Sequence, residues 1–366
     1  MNKLLLWSFS LACVAFLNSN LFGQGIVNKS DKFNYSKIYS FCLDANVKPV
    51  ISLIDVDNTV SLSKKDLKFK TDFEKRFKYE KDKSKYLDEK KSSIDGLLKI
   101  FHKYWRASLL DRSSNYESVT ITEIMSFLNQ NCPPVQGQVI NQENIQEFYK
   151  SYINSKGLYS TDAIGKTGRL FDLLVWETEK DTSYTISLHE EEINVKVVFM
   201  DNFITLGWEE YATLGRYYPG GWAKDNALYC VKDAYNLNSE SFLISYLAHE
   251  GRHFADFKLF PQLKNKDNEY RAKLTELSLA NSTLYNLIEF FIDNANYDSK
   301  NGHSVANYCV IRDLSKAIFN IDYENDIEKW RVVSIKKVNK AAYKILKTNT
   351  KDLLAQAKTV EEHIKK

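Results

Sequence analysis

The amino-acid sequence predicts a mostly helical α+β protein, and three features indicate this class. Glycine and proline are scarce, at 13 and 5 among 366 residues, which disfavours an all-β architecture rich in tight turns. Apolar residues at helical spacing recur in both the N-terminal and the C-terminal parts of the chain. Between these parts, residues 173–208 are β-branched and alternate in polarity, as sheet strands do. We therefore expect a small antiparallel or mixed sheet packed on helices.

The first segment, residues 1–23, is predicted to be a secretory signal peptide. A basic start at Lys3 precedes an apolar stretch at 4–17, and the small residue Gly23 precedes the expected cleavage point. This stretch is shorter than the about 20 residues that span a bilayer, and serines interrupt it. We therefore expect a secreted or periplasmic protein with no integral membrane span.

Residues 24–130 are predicted to form a helical N-terminal region. Its clearest helical pattern is a set of apolar residues spaced by three or four positions: Ile94, Leu97, Leu98, Phe101 and Trp105. The prolines Pro133 and Pro134 then break the pattern. We interpret residues 131–169 as a linker that contains a connecting helix near 146–154.

Residues 170–366 are predicted to form the α+β domain. Apolar and polar residues alternate in three places, which predicts strands around 184–188, 195–199 and 204–206. A further short strand is expected at 227–231, and helices from Ser239 onward.

The overall charge is close to neutral. Lys and Arg number 50 against 47 Asp and Glu, which gives a formal charge of +3. So small an excess, with acids interleaved among the lysines, argues against a nucleic-acid partner. It gives no reason to expect a membrane surface either.

The mature chain would contain four cysteines, Cys42, Cys132, Cys230 and Cys309. In an oxidising compartment they could form two disulfides, whose pairing the sequence does not define. Buried free thiols are an equally good interpretation. Because no C-x-x-C pair is present, a cysteine-rich zinc site is not expected.

The strongest chemical signal is the sequence HEGRH at residues 249–253, an HExxH motif. Residues four apart lie on one face of a helix, so His249 and His253 can bind a single zinc ion. Glu250 would then project beside a metal-bound water.

The surrounding sequence supports a helix at this motif. Asn238 or Ser239 can cap its start, and Pro261 ends it. A zinc site that keeps one position for water needs a third protein ligand. Glu269 lies near the start of the next predicted helix, and Glu276 lies seven residues further on the same helical face.

These residues resemble the gluzincins, the zinc metallopeptidase group that includes thermolysin-like and aminopeptidase-like enzymes. The resemblance implies an exported zinc metallopeptidase that hydrolyses peptide bonds in a peptide or protein substrate. It implies that His249, His253 and Glu269 bind zinc, with Glu276 as the alternative third ligand. Glu250 would act as the general base through a zinc-activated water.

The same resemblance implies a side chain that stabilises the oxyanion. The candidates are His303, Tyr297, Tyr308 and Arg271, and His303 is favoured because it follows a glycine-containing loop. The strand at 227–231 takes the place of the edge strand that binds an extended peptide in such enzymes.

One position departs from the family pattern. In thermolysin-like members, a carboxylate four residues after the ligand glutamate orients a zinc-binding histidine, whereas this chain has Lys273 there. Asp256 or Glu276 is therefore expected to orient the histidine instead.

Two other functions are consistent with parts of the sequence. Zinc could stabilise a non-catalytic binding protein, with the helical N-terminal region as its partner surface. Separately, an apolar run at 50–54 followed by Asp55 and Asp57 resembles the D-x-D-x-T motif of haloacid-dehalogenase-type phosphatases. There the first aspartate attacks phosphorus and the second is an acid/base beside Mg²⁺. The charged helical sequence that follows favours a turn at these aspartates.

Overall fold

The structure, a computed structural model, confirms the predicted α+β, mostly helical class. It describes residues 32–56, 61–90, 92–132, 139–189, 191–224, 227–299, 301–356 and 359–365. The predicted signal peptide lies outside the described residues.

The chain divides into two compact units. The first comprises the chain up to residue 180 together with 199–220 and 230–234. The second comprises 181–198, 221–229 and the chain from residue 235 onward. The domain boundaries at residues 130 and 170 stay sequence-based predictions.

The first unit contains the helices of the N-terminal region and two later helices. The former are α1 (Tyr35–Leu43), α2 (Lys48–Ile54), α3 (Lys64–Phe77), α4 (Tyr86–Glu89), α5 (Asp95–Leu110) and α6 (Glu117–Asn131), and the two later helices are α7 (Ile145–Ser155) and α8 (Trp208–Ala212). The five apolar residues at helical spacing lie in α5 or at its start, and all are buried in the core of this unit. Helix α7 confirms the connecting helix expected near 146–154.

Residues 48–54 are helical, so the apolar run of the phosphatase-like motif is not the strand that such a motif requires. Pro49 lies in the first turn of α2, where its missing N–H leaves no helical hydrogen bond unmade. Val50 and Ile54 are four residues apart and both buried, which is the pattern of a helix face.

The two aspartates of that motif follow the helix. Asp55 is exposed, and its carboxylate lies 3.6 Å from Nζ of Lys78. Ser63, rather than Asp55, caps α3, and Asp57 lies outside the described residues. Because no strand presents Asp55, the phosphatase interpretation loses its structural basis.

Five strands form one sheet in the order β1-β4-β5-β7-β6, and β2 and β3 pair separately. The strands are β1 (Tyr159–Ser160), β2 (Lys166–Thr167), β3 (Leu170–Phe171), β4 (Leu174–Leu188), β5 (Glu191–Leu206), β6 (Gly221–Lys224) and β7 (Ala227–Val231). Strand β1 is antiparallel to β4, with Tyr159 opposite Trp176. Strands β4 and β5 are neighbours joined by residues 189 and 190, so they form a hairpin.

Two expectations about this sheet are wrong. Residues 195–199 and 204–206 belong to the single strand β5, because the chain passes through a left-handed kink at Asn202 (φ 57°) and continues. Strand β7 coincides with the strand predicted at 227–231, but it lies between β5 and β6. The edge strand at this end of the sheet is therefore β6.

The second unit contains the helices predicted from Ser239 onward. They are a π-helix (Ser241–Ala248), α9 (His249–Leu259), α10 (Asn265–Leu279), α11 (Leu284–Asp293), α12 (Gly302–Phe319), α13 (Ile327–Arg331) and α14 (Ile335–Ala355). Within the described part of the chain, no helix combines the length and the apolar character needed to cross a bilayer.

The four cysteines in the described part of the chain, Cys42, Cys132, Cys230 and Cys309, are free thiols. Burial raises the pKa of Cys42 to about 12 and that of Cys309 to about 11. These groups therefore stay protonated at neutral pH and are poor nucleophiles. Of the two interpretations of the cysteines, the structure confirms the free thiols.

A buried carboxyl group supports the start of α8 in the first unit. Oδ1 of Asp172 accepts hydrogen bonds from the backbone N–H groups of Trp208 at 2.8 Å and Leu173 at 3.0 Å. Gly207 has a φ of 92°, and a Cβ atom there would lie 2.0 Å from the same oxygen. Burial raises the pKa of Asp172 to about 7.

The close approach at Gly207 can be tested against a second glycine. Gly207→Ala should lower the free energy of unfolding by about 3 kcal/mol or more, because it adds a steric clash to left-handed strain. Gly215 has a φ of 80°, and a Cβ atom there would meet nothing within 4 Å, so Gly215→Ala should cost only about 1 kcal/mol. Urea denaturation measures both, and equal losses would contradict the account.

The Asp172 carboxyl group predicts a pH dependence. Its folded-state pKa of about 7 lies above the ordinary 3.8, so the folded state binds more protons and stability falls as pH rises between these values. The loss should reach at most about 4 kcal/mol at about pH 8. Asp172→Asn keeps an acceptor oxygen but does not ionise, so its unfolding free energy should decline less between about pH 5 and pH 8. Parallel declines in both proteins would rule out this role for Asp172.

Candidate metal centre

The HExxH motif opens α9, directly after the π-helix. Of the two predicted caps, Ser239 accepts a hydrogen bond on Oγ from the backbone N–H of Phe242 at 3.2 Å, although the N-cap position itself is Glu240. Helix α9 ends two residues before Pro261. The π-helix was not predicted: the His249 N–H bonds to the carbonyl of Ile244, five residues back. Such segments occur frequently at functional sites.

His249, His253 and Glu269 form a buried group that could hold a metal ion. The two Nε2 atoms of the histidines lie 3.1 Å apart. The Glu269 carboxylate lies 3.4 Å from Nε2 of His249 and 3.3 Å from Nε2 of His253. All three residues are at most 4% exposed, so their polar atoms face one another rather than solvent.

Glu276 orients His249 from the opposite side of the ring. Its Oε1 lies 2.6 Å from Nδ1 of His249. A carboxylate only accepts hydrogen bonds, so Nδ1 carries a proton, and Nε2 is the nitrogen that faces His253 and Glu269. Burial disfavours the imidazolium, but the carboxylates of Glu276 and Glu269 outweigh it and raise the pKa of His249 to about 10. Glu276 therefore takes the orienting position, and the metal-holding group contains Glu269.

Glu250 is fully buried, at 0% exposure. Neither of its carboxylate oxygens has a hydrogen-bond partner among the described residues. Burial raises the pKa of this carboxyl group, and an unpartnered buried carboxylate is costly to the fold. The side chain is thus available for chemistry beside the two histidines.

His303 lies at the site, at the start of α12. The Asn301 side chain caps this helix through a hydrogen bond from the His303 N–H at 2.9 Å. Nδ1 of His303 lies 2.9 Å from Oε2 of Glu269. Burial lowers the pKa of His303. Sequence analysis therefore selected a residue that the fold places beside Glu269, although the two residues are 34 positions apart in the chain.

Arg271 is not available as an oxyanion donor, and that alternative is wrong. Its Nε and NH2 atoms donate to Asp256 at 2.7 and 2.9 Å, and NH1 donates to Asn349 at 2.7 Å. The same pairing occupies Asp256, so it does not orient a histidine. The remaining candidates pack as an aromatic group, in which the Tyr308 ring contacts the ring of Tyr297.

Helix α10 carries Glu269 and Glu276 and is buried on every side. All residues from Asp267 to Ser278 are buried, although many of them are polar or charged. Lys273, at the position where the family has a carboxylate, places Nζ 4.6 Å from the centre of the Phe291 ring. This cation–π contact satisfies a buried ammonium group without a carboxylate.

The β4–β5 hairpin packs against α9 within the second unit. A Cβ atom on Gly251 would lie 3.0 Å from Cδ1 of Ile186, so the glycine inside the motif permits close approach of the strand. Arg252 pairs with Glu191 at 2.6 Å. Gly251 and Arg252 therefore fix α9 against the sheet, while His249 and His253 belong to the metal-holding group.

Residues 359–365, here called the C-terminal strap, hold the start of α10. Oδ1 of Asp267 accepts hydrogen bonds from the backbone N–H groups of His363 at 3.0 Å and Ile364 at 2.7 Å. Lys264, just before the helix, pairs with Glu362 at 2.6 Å. The strap therefore fixes the first turn of α10, two residues from Glu269.

In comparisons with protein-family models, curated proteins and solved structures, none matched the chain. The resemblance to gluzincins therefore rests on the residues of the motif alone.

Sequence reasoning missed the residues that support the site from far along the chain. No sequence motif marks Ile186, Asp267 or Ile364. Each acts through a contact with a residue dozens of positions away in the chain, which a local pattern does not reveal. Gly251 gave a weak signal, since a glycine inside a helix usually has a packing reason.

The orienting contact of Glu276 can be tested by metal affinity. Glu276→Gln retains the size of the side chain but removes the charge that holds the Nδ1 proton of His249. We expect zinc affinity to fall by about 10- to 100-fold, measured by competition with a chromogenic chelator. Glu289→Gln removes the same charge from a half-exposed glutamate paired with Arg331 and should leave the affinity unchanged. Equal affinities of the two variants would show that Glu276 does not support the site.

Proposed function

We propose that this protein is an exported zinc metallopeptidase that hydrolyses peptide bonds, with Glu250 as general base. The observation that carries the proposal is the unpartnered carboxylate of Glu250, fully buried beside a group of only three metal-binding residues. Structural zinc sites use four protein ligands, whereas catalytic sites use three and keep one position open. A purely structural site would gain nothing from a buried acid without a partner.

The ligand atoms fit zinc. Tetrahedral zinc with ligand distances of about 2.0–2.1 Å places ligand atoms about 3.3 Å apart. The two Nε2 atoms lie 3.1 Å apart, and Glu269 approaches them with separate oxygens, Oε2 at 3.4 Å from His249 and Oε1 at 3.3 Å from His253, so one carboxylate oxygen can complete such a set with a small shift. Two imidazoles and one carboxylate also suit zinc better than magnesium or calcium, which prefer oxygen ligands.

When bound, zinc would polarise the scissile carbonyl and make a water molecule acidic enough to react near neutral pH. Glu250 would accept the proton of that water and pass it to the leaving amine. Its raised pKa suits both transfers, because a base with a pKa nearer neutrality also returns the proton readily. His303 is the proposed oxyanion donor. Its Nδ1 faces Glu269, so Nε2 can donate to a substrate only when the ring is an imidazolium, a form that burial opposes and the Glu269 carboxylate favours.

The resemblance to gluzincins supports the same proposal. The third ligand lies on the helix after HExxH, as in that group, and Glu276 supplies the orienting carboxylate that Lys273 does not. The edge strand for an extended peptide would be β6, since β7 is paired on both sides. Export rests on the signal peptide predicted from the sequence.

One observation favours a second candidate, a non-catalytic binding protein stabilised by zinc. His249, His253 and Glu269 are at most 4% exposed, whereas a peptidase must admit a peptide to its zinc ion. On this alternative the ion would stabilise the contact between α9 and α10, and Glu250 would have no chemical role.

The substitution Glu250→Gln separates the two candidates. The variant keeps all three proposed ligands, so it should retain stoichiometric zinc by elemental analysis. Cleavage of a peptide library, followed by mass spectrometry, should fall by at least about 100-fold, because no base remains to accept the water proton. His253→Ala is the matched control that should lose both zinc and cleavage.

The outcomes are distinct. Zinc in the wild-type protein without cleavage of any peptide would favour the binding protein. A wild-type protein without stoichiometric zinc would refute both candidates. Undiminished cleavage by Glu250→Gln would remove Glu250 from the mechanism.

A further inference from the structure

Helix α14 presents a row of lysines to solvent. Lys336, Lys340, Lys344, Lys347 and Lys351 are spaced by three or four residues, and all are exposed. Residues at this spacing lie on one face of a helix. The row, here called the lysine stripe, is about 22 Å long at 1.5 Å per residue.

The stripe lies opposite the face that anchors the helix in the second unit. The buried residues of α14 are Val338, Ala342, Leu346, Asn349 and Leu353, and they follow the same spacing from a different starting point. At 100° per residue the two rows point in roughly opposite directions. The lysines can therefore all approach one flat surface without disturbing the core.

The positive charge of this helix is concentrated rather than balanced. Helix α14 contains six lysines, including Lys337, and a single acidic residue, Asp352. Because the whole chain has a formal charge of +3, removing these six charges leaves the rest of the chain at −3. Ion pairs with acids among the described residues are recorded for lysines such as Lys68 and Lys264, but not for Lys336, Lys340, Lys344 or Lys351. The near-neutral total thus conceals a strongly basic face.

Exposed apolar residues lie at both ends of the stripe. Leu354 is 61% exposed and continues the row three residues after Lys351. Val332, 84% exposed, lies between α13 and α14, four residues before Lys336. Apolar side chains of this size enter the boundary between lipid headgroups and acyl chains, while lysines beside them contact anionic headgroups.

We propose that the lysine stripe of α14 docks the protein on an anionic phospholipid surface, with Val332 and Leu354 entering the headgroup layer. A bilayer fits this face better than nucleic acid does. The stripe contains no arginine for bidentate phosphate contacts and no exposed aromatic ring for stacking on bases, and its ends are apolar. This docking does not depend on the metal centre.

The test is co-sedimentation of the full chain with vesicles of phosphatidylcholine alone or mixed with phosphatidylserine. The wild-type protein should bind only the anionic vesicles, and less as salt is raised. The stripe variant Lys336→Gln/Lys340→Gln/Lys344→Gln/Lys351→Gln should bind them at least about tenfold more weakly. A matched control removes four exposed charges from the α3 region through Lys64→Gln/Lys68→Gln/Lys75→Gln/Lys78→Gln, and should bind within about twofold of wild type.

A second variant separates lipid docking from general attraction to polyanions. Leu354→Ser keeps every charge, and it should weaken vesicle binding while leaving weak binding to duplex DNA unchanged. The proposal is overturned if the wild-type protein fails to bind anionic vesicles, or if both four-lysine variants lose binding equally. It is also overturned if duplex DNA binds more tightly than the vesicles at the same salt concentration. Circular dichroism confirms that each variant is folded.

Discussion

The second unit depends on one constraint: α10 is buried on every side although many of its residues are polar. Each buried polar group must find a partner, because an unpaired one costs more than the hydrogen bond it loses. Arg271 meets Asp256, Glu276 meets His249, and Asp267 meets the C-terminal strap. The two carboxylates at the metal centre are tolerated in this interior only because imidazoles face them. The packing that buries α10 therefore also positions Glu269 and Glu276 beside the two histidines.

The chemistry of the site could be predicted where it is local. The spacing of His249 and His253 fixes two ligand positions on one helix face, and the next helix supplies a glutamate within twenty residues. His303 could be proposed as a donor, but only the fold shows that its ring meets Glu269. The role of Glu276 was left as one of two alternatives, because spacing alone cannot distinguish the two sides of an imidazole ring.

The fold could be predicted where hydrophobic periodicity is strong, as in α5 and α7. The errors occurred where one residue overrides the local pattern. Asn202 resembles the end of a strand, yet it bends β5 without ending it. Pro49 precedes an apolar run that resembles the start of a phosphatase-type motif, yet it lies in the first turn of α2. The order of strands in the sheet depends on pairing between distant segments, so sequence could not place β7 inside the sheet rather than at its edge.

The C-terminal strap has a consequence for the order of folding. Its hydrogen bonds to Asp267 join residues 96 and 97 positions apart, and contacts of such high contact order form late because a long loop must close first. A chain synthesised from its N-terminus would make α9 and the start of α10 well before residue 364 is available. The first turn of α10, which leads to Glu269, would therefore stay incompletely fixed until the C-terminal strap is synthesised and binds to Asp267. Uptake of the proposed zinc ion would then be a late step in maturation rather than a nucleus around which the unit assembles.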